Sequence, residues 1–311
     1  MKRRFRRAPV ALALPIALLL LADTPRVQAL FVPQPLVVER LVREAREMPP
    51  AEPTVHRDIP YHTTLRRTLR LDIYEPLGNV ASDQAPPIVV FLHGGSWIQG
   101  DKVTIRIVDR FLSRMRQAGY FVAAINYTTS VFRLLGGTLE NTKRAIRWLA
   151  AHAEEYGYDP HRIGLYGVSA GGHLALMAAS TMQLEEAGFA FVFAECAPTD
   201  LVGMREGDAF ENSRVFRLFP EDRLRALSPI THVIEDLPPV LLFHGGEDQT
   251  VSLRQSERYA EALEEAGGEA EFVVYPEGDH AFLNLSDETW YRQETRALEY
   301  FAAKFAADRT E

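Results

Sequence analysis

Ile163-Gly164-Leu165-Tyr166-Gly167-Val168-Ser169-Ala170-Gly171-Gly172-His173 joins a short apolar run to a serine framed by glycines, and a second apolar stretch, residues 173–179, follows directly. The first run has the length and composition of a buried strand, and the second reads as a helix. A serine between them must accept strained backbone angles, and the flanking glycines let strand and helix approach closely so that its Oγ stands exposed. The five-residue pattern alone occurs by chance; its strand-turn-helix setting gives it weight. Around such a turn we expect buried strands alternating with helices, a mostly parallel twisted sheet covered on both faces.

The rest of the chain carries that alternation. Apolar runs at residues 88–92, 121–125, 163–166, 189–194, 240–243 and 271–275 are separated by longer helical stretches, among them residues 139–153 and 255–266, and a last helix at 287–307 closes the domain. Before them, residues 54–61 and 65–74 alternate in character and predict an antiparallel pair. Residues 198–237 lie between two strands and exceed an ordinary connection, with Phe210, Phe216, Leu218 and Phe219 among charges, so they are expected to form a lid or small cap.

A serine hydroxyl is a poor nucleophile near neutral pH, so Ser169 needs a base to take its proton and a carboxylate to hold that base in one tautomer. For this arrangement the histidine comes last in the chain. His280, after the run at 271–275, meets the requirement; His56, His62, His152, His161 and His232 lie in polar stretches, and His173 begins the helix behind the serine. Asp248, after the run at 240–243, is the candidate acid, with Glu247, Asp200 and Asp279 as rivals. Backbone N–H groups must also cradle the negative oxygen formed during attack. The candidates are Gly94, Gly95 and Ser96 in His93-Gly94-Gly95-Ser96-Trp97, together with Ala170. His93 is expected to bond its own loop, and Trp97 either packs beneath that loop or lines the substrate pocket.

Lys2, Arg3, Arg4, Arg6 and Arg7 precede an apolar run from Ala8 to Leu21 that ends near Val27-Gln28-Ala29, the pattern of a secretory signal peptide over residues 1–29. The run contains Pro9 and Pro15 and is shorter than the ~20 apolar residues of a spanning helix, so cleavage and export are favoured over an N-terminal membrane anchor. Residues 30–52 then form a short segment with a helical pattern at 34–48, stopped by Pro49-Pro50, and residues 53–311 form one catalytic domain. Of 34 basic and 42 acidic side chains, cleavage removes six and one, leaving a formal charge of −13 and poor prospects for nucleic acid or anionic membrane surfaces as partners. Cys196 is the only cysteine, so no internal disulfide exists; inside an apolar run it reads as a buried inert thiol.

Taken together, His93 to Trp97 with Gly100-Asp101-Lys102 behind it, Asn126-Tyr127, Asp159-Pro160-His161-Arg162-Ile163, Gly167 to His173, Pro198-Thr199-Asp200-Leu201, Pro238 to Val251 and Gly278 to Phe282 resemble the α/β-hydrolase esterases related to hormone-sensitive lipase, and within them the feruloyl-esterase-like carboxylesterases. The resemblance implies the α/β-hydrolase fold and cleavage of carboxylic esters through an acyl-enzyme, with no metal and no cofactor. It also implies oxyanion donors at Gly95, Ser96 and Ala170, with Gly94 shaping the turn. Two departures stand out: Ser96 replaces a third glycine, and Thr128-Thr129-Ser130 replaces an Arg-containing run while Asn141 stands where an acidic residue is common. The form His-Gly-Gly-x-Trp is shared with kynurenine formamidases, which leaves aryl-formamide or amide hydrolysis as the alternative reading. A noncatalytic binding module of the same fold would need a missing part, and none is missing.

Overall fold

A computed structural model describes residue 40 and residues 42–44, 54–64, 67–77, 84–106, 109–129, 137–182, 188–206 and 213–307. The proposed signal peptide and most of residues 30–52 lie outside this set; of the helix expected at 34–48, Arg40 and residues 42–44 are helical. Among the described residues no helix is long and apolar enough to cross a membrane.

Two strands, β1 (Val55–Thr63) and β2 (Thr68–Tyr74), form the expected antiparallel pair, and β2 runs antiparallel to β4 (Phe121–Ile125). From there β4, β3 (Ile88–Leu92), β5 (Ile163–Val168), β6 (Phe189–Glu195), β7 (Val240–Gly245) and β8 (Ala270–Tyr275) are parallel, completing one eight-stranded sheet in the order β1-β2-β4-β3-β5-β6-β7-β8. β3 and β4 are buried at every position, as expected of strands covered on both faces.

Side chains of a strand point alternately to its two faces, which divides the interior in two. Ile88, Val90 and Leu92 join a cluster with Leu165, Leu174, Leu242, Tyr259 and Leu263, under helices α2 (Gly137–Ala151), α4 (Ala170–Thr181) and α7 (Arg254–Glu265). Val89 and Phe91 face the other way, into a cluster with Phe111 of α1 (Asp109–Gln117) and Phe301 and Phe305 of α8 (Asp287–Ala307). That second layer is aromatic: Phe191 stacks on Phe301 at 4.4 Å between ring centres, and Tyr166 on Phe193 at 4.9 Å.

The helix expected at 139–153 ends at Ala151, and a separate turn, α3 (Ala153–Tyr156), is closed by Gly157 in the left-handed conformation at φ 85°. Among the described residues of 198–237 are α5 (Leu201–Glu206), a 3-10 turn (Ser213–Leu218), α6 (Glu221–Arg225) and a second 3-10 turn (Pro229–His232). Phe210 lies outside the described residues. β5 and β7 run past their expected ends to Val168 and Gly245, and α4 starts at Ala170 rather than His173. These three extensions bring backbone order up to Ser169 and to the loop that carries Asp248.

Candidate active site

Ser169 stands between β5 and α4 with no residue to spare on either side, so the chain must reverse within it; its backbone sits at φ 55°, ψ −119°. A conformation this strained persists only when its surroundings fix it. Ser169 N–H donates to the Glu195 carbonyl at 2.7 Å, and the Ser169 carbonyl accepts from His173 N–H at 3.1 Å. The close packing that the glycines allow is tightest at Gly171, where a Cβ would stand 2.0 Å from the Leu92 carbonyl oxygen.

His280 follows β8 in a turn that carries Ala281 and Phe282 at φ 58° and 60°. Its Nε2 lies 2.9 Å from Ser169 Oγ and its Nδ1 2.8 Å from Asp248 Oδ2. Burial alone would push the Asp248 carboxyl up, but hydrogen bonds from His244 and His280 and from the Val251 N–H together hold it well below the usual carboxylate range. An ionised carboxylate only accepts, so His280 Nδ1 carries the hydrogen and Nε2 presents a lone pair to the Ser169 hydroxyl. Asp248 Oδ1 accepts the N–H groups of Thr250 and Val251 at 2.7 and 2.9 Å, so both carboxylate oxygens are held.

The rival acids are occupied elsewhere. Asp200 accepts the N–H groups of Val202 and Gly203 at the start of α5 and pairs with Arg258. Asp279 exchanges hydrogen bonds with Asn284, and Glu247 is exposed. Among the other histidines, His56 bonds Glu75, and His152 and His232 bond backbone carbonyls. His244, to which the sequence reading gives no role, is the one that reaches the triad: its Nε2 lies 3.3 Å from Asp248 Oδ2. The available signal was a histidine ending an apolar strand just ahead of the acid loop.

The loop after β3 folds over the serine. A Cβ on Gly94 would stand 3.6 Å from that of Ser169, and Gly95, Ser96 and Trp97 follow at φ 118°, 52° and 61°. Ser96 therefore holds a backbone conformation that favours glycine, and Gly95 tolerates no side chain, since a Cβ there would meet the Gln99 carbonyl oxygen at 2.3 Å. Ala170 opens α4, so its N–H is one of the first-turn donors that a helix leaves without an internal acceptor.

Three anchors hold the loop. His93 stacks on Tyr127 at 4.1 Å, donates Nδ1–H to the Gly94 carbonyl at 2.7 Å, and its own carbonyl accepts the Tyr127 hydroxyl. Trp97 is buried beneath the loop and donates Nε1–H to His173 Nδ1 at 3.1 Å, while His173 Nε2–H donates to the Leu227 carbonyl at 2.7 Å. Burial pushes both imidazoles down to about 4, so they are neutral at pH 7. Behind the loop the buried Lys102 ammonium lies 2.7 Å from Asp72 and 3.0 Å from Asp58, and its backbone N–H donates to Asn126.

The two departures near Asn126 are partners. Asn141 donates to Thr128 Oγ1 at 2.7 Å, and Thr138 donates to the Thr128 carbonyl, so neutral hydrogen bonds close that loop. Among the described residues Cys196, His244 and Asp248 bring their donor atoms within 4.8 Å of one another, a spacing that could hold a metal. Both His244 nitrogens and both Asp248 oxygens already make hydrogen bonds that an ion would have to break.

The BD-FAE family model matches residues 71–263, from β2 to the end of α7; His280 lies beyond the match, so its place rests on its hydrogen bonds. Isoprenylcysteine alpha-carbonyl methylesterase ICME of Arabidopsis thaliana is 28% identical over 257 residues, 75% of this chain and 58% of that protein. Esterase LipQ of Mycobacterium tuberculosis is 30% identical over 243 residues, 72% of this chain and 56% of that protein. The chain spans about half the length of the curated relatives it matches. Among solved structures, the propionate-bound esterase Est2 of Thermogutta terrifontis aligns with a TM-score of 0.65 and 28% identity over 82% of this chain and 96% of that one, and the same esterase has been solved phosphoramylated by tabun.

Proposed function

The chain belongs to the BD-FAE family, and from that premise we propose that it is a serine hydrolase of carboxylic esters acting through an acyl-enzyme, with Ser169 as nucleophile, His280 as base and Asp248 as the group that orients it. The observation that carries the reading is the unbroken line from Ser169 Oγ through His280 to Asp248, with steps of 2.9 and 2.8 Å. As Ser169 attacks the ester carbonyl, His280 Nε2 takes its proton; the N–H groups of Gly95, Ser96 and Ala170, with Gly94 shaping the turn, receive the developing oxyanion. The imidazolium returns the proton to the leaving alcohol, and water repeats the sequence on the acyl-enzyme. Relatives named as esterases favour an ester over a formamide.

Hydrolysis of p-nitrophenyl esters of rising chain length tests this. Ser169→Ala is expected to lower kcat by about 10³-fold or more and to abolish labelling by a fluorophosphonate. A wild-type chain that neither labels nor turns over sinks the proposal, and faster cleavage of an aryl formamide than of p-nitrophenyl acetate turns it towards amide chemistry. We further propose export by cleavage after Ala29, supported by the basic, apolar and small-residue order of the first 29 residues; sequencing the exported protein should find Leu30 first. Residues 198–237 act as the cap over the acyl side, supported by Phe216 meeting Trp97 edge to face at 6.0 Å. The acidic surface argues against nucleic-acid partners.

A further inference from the structure

Asp248 Oδ2 faces two imidazoles. His280 Nδ1 lies 2.8 Å from it on the serine side, and His244 Nε2 lies 3.3 Å from it on the other. His244 is the penultimate residue of β7 and has no exposed surface, and its remaining contacts fix its tautomer. The Val251 carbonyl, 2.9 Å from Nε2, can only accept, so Nε2 carries the hydrogen; Nδ1, 2.7 Å from Ser256 Oγ, must then accept from that hydroxyl. The Nε2–H donates to the Val251 carbonyl and has the Asp248 carboxylate as a longer second neighbour at 3.3 Å.

We infer that His244, backed by Ser256 of α7, is a positioning residue that holds the Asp248 carboxylate in the rotamer that meets His280; the inference rests on the hydrolase reading above. A carboxylate offers about four lone-pair sites; Oδ1 takes the N–H groups of Thr250 and Val251, and Oδ2 takes His280 Nδ1–H at 2.8 Å with His244 Nε2 as a longer second neighbour at 3.3 Å. Ser256–His244 thus stands behind the acid as Ser169–His280 stands in front of it. The titratable groups around His244 are Asp248 of its own loop, Cys196 at the end of β6 with Glu195 beside it, and His280 reached through Asp248. Removing the His244 donor leaves one site on Oδ2 empty in a dry surrounding. The carboxylate then turns more freely and, less stabilised, pulls harder on the His280 Nδ1–H, which moves the acid limb of the rate profile to higher pH.

His244→Phe keeps the ring volume without the N–H, and His244→Gln keeps an N–H near the position of Nε2. With p-nitrophenyl acetate, His244→Phe is expected to lose about ten- to a hundredfold in kcat with KM within about twofold of wild type, and its acid limb of kcat/KM moves to higher pH. His244→Gln restores most of kcat and returns the limb, which a role in folding alone would not produce. If His244→Phe does not fold, Ser256→Ala decides: a smaller limb shift in the same direction supports the inference and an unmoved limb overturns it. An active wild type whose His244→Phe variant keeps kcat within about twofold and the same limb overturns this inference alone, whereas an inactive wild type overturns the hydrolase reading and this inference with it.

Discussion

Glu195 holds the nucleophile turn through its backbone and keeps its side chain in the dry layer beneath, where Oε2 accepts the Tyr166 hydroxyl at 2.9 Å and Oε1 accepts from Gln293 at 3.1 Å. Burial pushes its carboxyl up to about 8, opposed by the Tyr166 hydrogen bond and reinforced by the charge of Glu294. A folded-state value above the unfolded one means that the protonated form belongs to the fold. Its contribution is therefore complete below the unfolded value of 4.5 and is lost as pH rises through about 8. Glu195→Gln, which cannot ionise, should melt close to wild type at pH 5 and be the more stable of the two at pH 9, by about 1–3 kcal/mol. Thermal melts across that range check it, and parallel curves for the two proteins would refute it. Gln293 Oε1 has no hydrogen-bond partner among the described residues, so turning that amide over would supply the acceptor that a protonated Glu195 needs.

At the scale of elements, most of the sheet is legible in the sequence, because a strand buried on both faces writes itself as a short continuous apolar run. β3 and β4 coincide with runs 88–92 and 121–125, and α8 with 287–307. Legibility fails where an end is set by an interaction rather than by periodicity: β5 and β7 carry on through Gly167-Val168 and His244-Gly245, which have no apolar rhythm but pair with β6 and β8. The order Ser169, Asp248, His280 is readable for the same reason that the strands are, since each residue follows one. His244 is not, because its contact with Asp248 runs across a loop and leaves no periodic trace. Nor is the Asn141–Thr128 bond, although both residues stand out singly. The aromatic layer tests how far α8 and the sheet depend on each other. Phe301→Ala removes the ring that stacks on Phe191 and meets Phe111 and Phe193, and should cost about 3–5 kcal/mol in urea unfolding while the folded fraction keeps its rate per active site.

For the molecule as a whole, the sheet delivers Ser169, Asp248 and His280 from the carboxyl ends of three parallel strands, β5, β7 and β8, and the loop after β3 closes over them from the side. The segment proposed as a cap touches this assembly through Phe216 on Trp97, so Phe216→Ala should change the ratio of rates on p-nitrophenyl butyrate and acetate by about threefold or more, and an unchanged ratio would separate that segment from acyl selection. His173 extends that contact. Its imidazole is fully engaged between the Leu227 carbonyl and the Trp97 indole in the loop over the serine. Moving Leu227 away from His173 would strand a buried N–H and loosen the loop after β3, so on the proposed reading of residues 198–237 as a cap this end of it stays closed. If the proposed hydrolase keeps that end fixed, an oil surface gives it no advantage: its rate on tributyrin should rise smoothly with dissolved ester and show no jump where droplets first form.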